Sequence, residues 1–137
     1  MKSIKKFFNF HNLNTFTDYL SANKELDKVI SEGRIDWKET INVAVVSSST
    51  TNGIKEILRV KGANSGFLLN IYVSSYNQYA QDIFNLHSEL YKFKPQLIFL
   101  NIDLRTLSGD IYFNPYLLSK SERLNWVKES KDFLLKL

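Results

Sequence analysis

The sequence predicts a three-layer α/β/α domain built on a short parallel sheet, and three apolar stretches carry that prediction. Residues 41–46, 67–73 and 97–103 are short, nearly continuous apolar runs without helical periodicity. Runs of this kind are typical of strands that are buried on both faces of a parallel sheet. The segments between them are long enough for the crossover connections that parallel strands require. We therefore expect the order β-α-β-α-β, followed by a last helix.

The composition fits a single globular domain. The chain has 137 residues, of which 44% are hydrophobic and 23% charged, so disorder is not expected. The net charge of +4 comes from scattered lysines, which favours solubility over nucleic-acid binding. The absence of cysteine excludes disulfides, thiolate metal sites and a cysteine nucleophile. No stretch is apolar enough to cross a membrane or to form a signal peptide, so we expect a cytoplasmic protein.

The first part of the chain, residues 1–40, reads as a helical lead-in to the α/β domain at 41–137. Thr15 or Asn14 can cap a helix in this segment, and Gly33 can end it. No residue of the lead-in suggests chemistry. We expect both parts to form one compact unit.

The elements that follow are less sharply defined than the strands. Apolar spacing predicts helices over 52–63 and 76–86, a further turn at 88–93, and a loop over 106–115. A last helix opens near Ser121, with four apolar side chains expected to face the sheet. These four are Leu124, Val127, Leu134 and Leu135. With the first strand at the centre, the strand order is 2-1-3, as in half of a flavodoxin-like sheet.

Polar residues follow the first and third strands, whose ends are predicted to be neighbours. They are Ser47, Ser48, Ser49 and Thr50 after the first strand, and Asn101, Asp103 and Arg105 after the third. One interpretation is a shallow pocket in which hydroxyls and helix N–H groups bind an anion or an acyl oxygen. The alternative is structural: the hydroxyls cap the following helix, and Asp103 pairs locally with Arg105. Both interpretations remain open at this point.

Several common motifs are missing from the sequence. Neither G-x-G-x-x-G nor G-x-x-x-x-G-K-[ST] occurs, so the usual phosphate-binding loops are not expected. His11 and His87 are far apart and have no partner at metal-ligand spacing, so no metal site is expected in this chain. The D-x-D-x-T motif of aspartyl-phosphate-forming enzymes is also lacking.

The serine turn resembles that of SGNH-type esterases, which place a serine after the first strand and an asparagine after a later one. This resemblance implies an enzyme that uses Ser48 or Ser49 as nucleophile and Asn101 as oxyanion donor. That family activates its serine with a C-terminal Asp-x-x-His, but no histidine follows His87 in this sequence. Without a base, a serine hydroxyl is a weak nucleophile.

A second resemblance covers residues 41–107. It rests on VVSSSTTNGIKEIL, then Tyr76-Asn77-Gln78-Tyr79, then Ser88-Glu89-Leu90-Tyr91-Lys92-Phe93-Lys94-Pro95 before a strand. In this order the segments resemble the N-terminal domain of FkbH-like proteins, haloacid-dehalogenase-type enzymes of subfamily IIIC that load glyceryl units onto acyl carrier proteins. The resemblance implies an SGNH- or flavodoxin-like accessory domain. In this family, magnesium and the catalytic aspartates belong to a following domain, and the catalytic aspartates have no counterpart in this sequence.

The expected function is therefore that of a non-catalytic accessory domain. Its expected partners are a haloacid-dehalogenase-type catalytic domain or an acyl carrier protein, in natural-product or surface-polymer biosynthesis. The first alternative is the degenerate SGNH-type esterase or acyltransferase. The second is a protein interaction module that uses aromatic surface around Tyr112, Tyr116 and Trp126. The exposed sheet edges also make a homo-oligomer possible, whereas neither a nucleic acid nor a membrane is an expected partner.

Overall fold

The computed structural model describes residues 13–33 and 35–137. The start of the predicted lead-in, including His11, lies outside the described residues, as does Arg34. The strands are β1 (Glu39–Ser47), β2 (Phe67–Val73) and β3 (Leu97–Asn101). The helices are α1 (Phe16–Ser31), α2 (Ile54–Ser65), α3 (Tyr79–Phe84), α4 (Glu89–Phe93), α5 (Leu104–Ser108), α6 (Asp110–Phe113) and α7 (Lys120–Leu134), with a 3₁₀ turn at Pro115–Leu117.

The three strands form one parallel sheet in the order β2-β1-β3, which confirms the predicted α/β class and strand order. β1 pairs with β2 from Glu39 opposite Phe67, and with β3 from Val43 opposite Leu97. β1 begins two residues before the predicted strand, because Glu39 and Thr40 already pair with β2. β3 ends at Asn101, where its ladder with β1 stops.

Both faces of β1 are buried, which explains its uninterrupted β-branched run. Val43 and Val45 pack on one face with Ile54 and Leu58 of α2. Successive side chains of a strand point to opposite faces. Ala44 and Val46 therefore join a second cluster, with Tyr79, Leu90 and Phe133. Helices thus cover both faces of the central strand, and the domain has three layers.

The lead-in helix α1 packs on α2. Thr15 caps α1 through a capping box with Asp18, and Gly33 follows the end of the helix with a φ of +60°. Arg59 of α2 donates to Asn23 at 2.7 Å and to Asp27 at 2.6 Å. These bonds hold α1 against the outer side of α2.

The expectation that the third strand is buried was wrong. All five residues of β3 are exposed, and its apolar side chains retain close to half of their accessible surface. β2 is also an edge strand, but α2 packs on it and leaves its apolar side chains at most partly exposed. Among the described elements, no helix packs on β3 to a comparable extent, so its side chains stay exposed. A run of apolar residues does not reveal whether helices cover both faces of the strand.

Two further expectations were wrong on the C-terminal side of β3. The predicted loop at 106–115 contains the end of α5 and all of α6, because Asp103 caps α5 and Gly109 separates the two short helices. The four leucine and valine side chains assigned to the inner face of α7 are 42–74% exposed. The inner face instead carries Phe133, whose ring lies 6.4 Å from that of Tyr79. Over the described residues, none of the helices has both the length and the apolar character that a membrane crossing requires.

Candidate functional site

The polar residues predicted to be neighbours do meet at one edge of the sheet. β1 and β3 run parallel with Ser47 opposite Asn101, so the segments that follow the two strands leave the sheet side by side. This is the carboxyl edge of the strands, where open α/β sheets usually bind ligands.

Ser47 and Asn101 join the two strand ends through their side chains. The Oγ of Ser47 accepts hydrogen bonds from the Asn101 Nδ2 at 3.2 Å and from the Ser49 backbone N–H at 3.0 Å. Asn101 Nδ2 also lies 3.2 Å from the Oγ of Ser49. The backbone N–H of Ser47 donates to the Oγ of Ser74, at the end of β2, at 3.0 Å. Hydroxyls therefore connect the ends of all three strands.

Ser48 is the most deeply buried polar residue of the site, with none of its surface exposed. Its Oγ accepts a hydrogen bond from the backbone N–H of Asp103 at 2.8 Å. Its own N–H donates to the carbonyl of Asn101 at 3.0 Å. Ser48 thus joins the segment after β1 to the segment after β3. We call the side chains of Ser47, Ser48 and Asn101 the serine latch.

The hydroxyls do not cap α2, which corrects the structural alternative drawn from the sequence. The N-cap of α2 is Gly53, with a φ of 82° and no side-chain hydrogen bond. The positive φ favours glycine at this position, and a Cβ there would require the ring of Phe16 to move. The hydroxyls instead satisfy backbone and amide groups across the sheet. The local pairing of Asp103 with Arg105, the other half of that alternative, is present.

Asp103 and Arg105 form a close ion pair. The Arg105 Nη2 donates to Oδ2 of Asp103 at 2.7 Å, and the Arg105 Nε donates to Oδ1 at 3.1 Å. These side-chain bonds are the main cause that lowers the pKa of Asp103 to about 2, with help from the bond of the Arg105 backbone N–H. The same pairing raises the pKa of the Arg105 guanidinium. Both groups are therefore charged near neutral pH.

An open cavity of about 440 Å³ lies over these residues. Its lining contains five of the predicted site residues, namely Ser48, Ser49, Thr50, Asp103 and Arg105. Ser47 and Asn101 are not part of the lining, but they belong to the serine latch. The lining also includes Tyr76 and Thr106, which the sequence analysis did not assign to the site. Tyr76 could have been found from its position, because it follows β2 at the same edge of the sheet.

The cavity offers hydroxyl and guanidinium groups for non-covalent binding of oxygen atoms. Arg105 gives its Nε and Nη2 to Asp103 and keeps further N–H donors, and its side chain is 62% exposed. No group of three His, Cys, Asp or Glu side chains that could hold a metal ion occurs at 13–33 or 35–137. The expectation of magnesium in a separate catalytic domain stays a prediction.

The fold and the position of this site define a small α/β domain of the flavodoxin-like class. No protein-family model matches the chain, and no curated protein sequence does either. The chain is similar to the solved structure of the N-terminal part of protein BF1531 from Bacteroides fragilis, which is described as containing a phosphatase domain complexed with Mg. The TM-score is 0.65 and the sequence identity 18%, over 89% of this chain and 29% of that one.

At this level of identity the likeness shows a shared fold. The chain spans less than a third of the length of that structure. The resemblance to FkbH-like and SGNH-type proteins therefore stays a prediction. So do the binding roles of the site residues.

Proposed function

We propose that this domain is a non-catalytic accessory domain of an FkbH-like protein of haloacid-dehalogenase subfamily IIIC. Its role is to position a catalytic domain or an acyl-carrier-bound substrate in natural-product or surface-polymer biosynthesis. The observation that carries the proposal is the hydrogen bond of Ser48, whose buried Oγ accepts the N–H of Asp103 at 2.8 Å. A serine nucleophile needs a base to take its proton. Ser48 instead serves as an internal acceptor that holds two loops together.

The likeness to BF1531 supports the same proposal. This chain matches 29% of a structure that is described as an N-terminal part containing a phosphatase domain. The FkbH-like resemblance implies an accessory domain of about this size next to a catalytic domain, and a match to 29% of that structure is compatible with this arrangement. The magnesium-dependent chemistry would then belong to the other domain.

Of the two partners, the cavity favours the carrier-bound substrate. Its lining brings hydroxyls of Thr50, Tyr76 and Thr106 together with the guanidinium of Arg105. Hydroxyl and guanidinium groups bind carbonyl and phosphate oxygens without covalent chemistry. The phosphopantetheine arm of an acyl carrier protein carries both a phosphate and amide carbonyls.

The test is a titration of the isotope-labelled domain with an acyl carrier protein, followed by amide NMR shifts. We expect shifts at Thr50, Tyr76 and Thr106 with the holo carrier, which bears the phosphopantetheine arm. The apo carrier, which lacks the arm, is the matched control and should leave these amides unmoved. Arg105→Ala should weaken the response to the holo carrier, while Arg123→Ala on α7 should not. Equal responses to holo and apo carrier, or none to either, would contradict carrier-arm binding.

The alternative esterase function draws support from one contact. Asn101 Nδ2 lies 3.2 Å from the Oγ of Ser49, which lines the cavity and is only partly buried. A nucleophile here would need a base within about 3 Å. In the part of the chain that the structure describes, no hydrogen bond joins the Oγ of Ser48 or Ser49 to a histidine or a carboxylate. His87 lies in the exposed connection between α3 and α4.

A single-turnover assay with a short p-nitrophenyl ester separates this alternative from the proposal. We expect the wild type, Ser48→Ala and Ser49→Ala to show the same background rate. A burst in the wild type that Ser49→Ala abolishes would support the esterase and overturn the non-catalytic role.

The interaction-module alternative is favoured by an exposed aromatic segment. Tyr112, Phe113, Tyr116 and Leu117 are between 46% and 73% exposed. Trp126, which the sequence analysis placed with them, is partly buried. Exposed apolar residues in one segment are typical of protein-binding surfaces. This surface is compatible with an accessory domain, because an accessory domain also needs an apolar surface to bind its catalytic partner.

A further inference from the structure

β3 offers an open sheet edge with unusual apolar character. Its exposed apolar side chains are Leu97 (47%), Ile98 (48%), Phe99 (48%) and Leu100 (44%). The N–H of Gln96 donates to the carbonyl of Asn42 in β1 at 2.8 Å. Within the strand, the carbonyl of Asn101 accepts the N–H of Ser48 at 3.0 Å, so the peptide groups of Asn101 face the β1 side. Since alternate residues of a strand point their N–H and C=O groups to the same side, those of Leu97 and Phe99 point toward β1, and those of Ile98 and Leu100 point away from it. The outer side of β3 therefore presents both hydrogen-bonding groups and apolar side chains.

Within residues 13–33 and 35–137, β3 has none of the usual protections of an edge strand. Charged residues, proline, a bulge or a covering element normally protect an edge strand from pairing with another chain. Residues 97–101 include no charge and no proline, and they pair with β1 without a bulge. A cavity of about 310 Å³ opens beside the strand, lined among others by Leu90, Pro95, Ile98 and Leu137. This apolar cavity can take side chains from an added strand.

We propose that the occupant of this edge is a second copy of the chain, joined through antiparallel pairing of the two β3 strands. A twofold axis beside Phe99 places the Phe99 residues of the two copies opposite each other. Ile98 of one copy then lies opposite Leu100 of the other. Because Ile98 and Leu100 point their peptide groups outward, Ile98 of each copy can exchange two hydrogen bonds with Leu100 of the other, and the two Phe99 residues form the non-hydrogen-bonded pair at the axis. The two sheets become one six-stranded sheet.

The chemistry of β3 favours an identical partner. An isologous interface brings the same patch of both copies together, so the patch must be complementary to itself. An uncharged apolar strand meets that condition without like-charge repulsion. With Tyr91 (41% exposed) and Leu104 (55% exposed) at its ends, the edge can bury roughly 1,000 Å² over two copies. That area is at the lower limit for a specific interface, so we expect a weak dimer whose population depends on concentration.

Light scattering over a series of protein concentrations is the primary test. The mass should rise from 16.0 kDa toward twice that value as the concentration increases. Phe99→Lys places like charges opposite each other at the axis and should keep the protein monomeric. Phe113→Lys, at a 66% exposed position on α6, is the matched control and should dimerise like the wild type. Circular dichroism shows whether each variant is folded.

Amide hydrogen exchange of the wild type gives a second test that does not depend on a variant. We expect the N–H groups of Ile98 and Leu100 to exchange more slowly at high concentration than at low concentration. The N–H of Phe99 points toward β1 and should exchange at the same rate in both. A mass of 16.0 kDa at every concentration would overturn the proposal. A doubled mass that persists in folded Phe99→Lys, or exchange at Ile98 and Leu100 that does not depend on concentration, would also overturn it.

Discussion

Ser48→Ala tests whether the hydroxyl of Ser48 is structural or catalytic. The substitution removes the Oγ that accepts the N–H of Asp103 at 2.8 Å, and Ser48 has no exposed surface. Water cannot readily replace the lost acceptor, so the Asp103 N–H is left without a partner. An unsatisfied buried donor costs about 1–3 kcal/mol. We therefore expect the free energy of unfolding to fall by about that amount, a large share of the roughly 5–15 kcal/mol that stabilises most domains.

Urea denaturation followed by circular dichroism measures this loss. For a chain of this size, it corresponds to a decrease in Tm of roughly 3–5 °C per kcal/mol. Ser75→Ala is the matched control, because Ser75 is exposed and lies at the same edge of the sheet. Its effect should stay within about 0.5 kcal/mol. If Ser48→Ala is as stable as Ser75→Ala, the proposed role of the Ser48 hydroxyl in the serine latch is wrong. If it also abolishes an ester-hydrolysis burst, the catalytic role is right.

Three further predictions follow from other parts of the structure. Arg105→Gln should raise the pKa of Asp103 from about 2 toward its ordinary value of 3.8, which an NMR titration measures. The lowered pKa stabilises the fold above about pH 4, and this contribution is lost as the pH falls toward 2. The stability of the variant should therefore depend less on pH in that range. Burial is the main cause that raises the pKa of Tyr72 to about 12. An ultraviolet titration should therefore show one late phenol ionisation that is missing in Tyr72→Phe. Because the folded state holds this proton more tightly than the unfolded state, the free energy of unfolding should fall as the pH rises from 10 to about 12. Leu90→Ala should cost about 2–5 kcal/mol in urea denaturation because Leu90 is 2% exposed in the core, whereas Leu86→Ala, at a 70% exposed position, should change stability by less than about 0.5 kcal/mol.

The strands and their order could be predicted from the sequence because they depend on local signals. The run Val43 to Val46 has β-branched residues on both faces, and the connections are too long for hairpins. These features place β1 at the centre without any knowledge of distant contacts. The same reasoning predicted that Ser47 and Asn101 lie at one edge of the sheet, and the observed register confirms this prediction.

The parts that failed depend on contacts between residues far apart in the chain. Whether β3 is buried depends on helices that pack on its faces, which its own residues do not specify. The partner of the Ser48 hydroxyl is 55 residues away, so a local rule for helix caps could not find it. The face of α7 that packs inward is the one that contains Phe133, because this ring contacts the rings of Tyr79 and Phe84 in α3. The apolar spacing of α7 alone does not predict these contacts.

The ends of β3 are held more firmly than its exposed side chains would suggest. At its start, the backbone N–H of Asn42 donates to the Gln96 side chain at 2.9 Å, and the Asn42 amide donates to the carbonyl of Phe93 at 3.2 Å. At its end, the serine latch ties Asn101 to Ser47. Polar bonds thus fix a strand that has few apolar contacts of its own. A strand already held in its extended conformation loses little conformational entropy when another strand pairs with it. Polar residues of the candidate site therefore also help to hold β3 in the conformation that the proposed dimer requires.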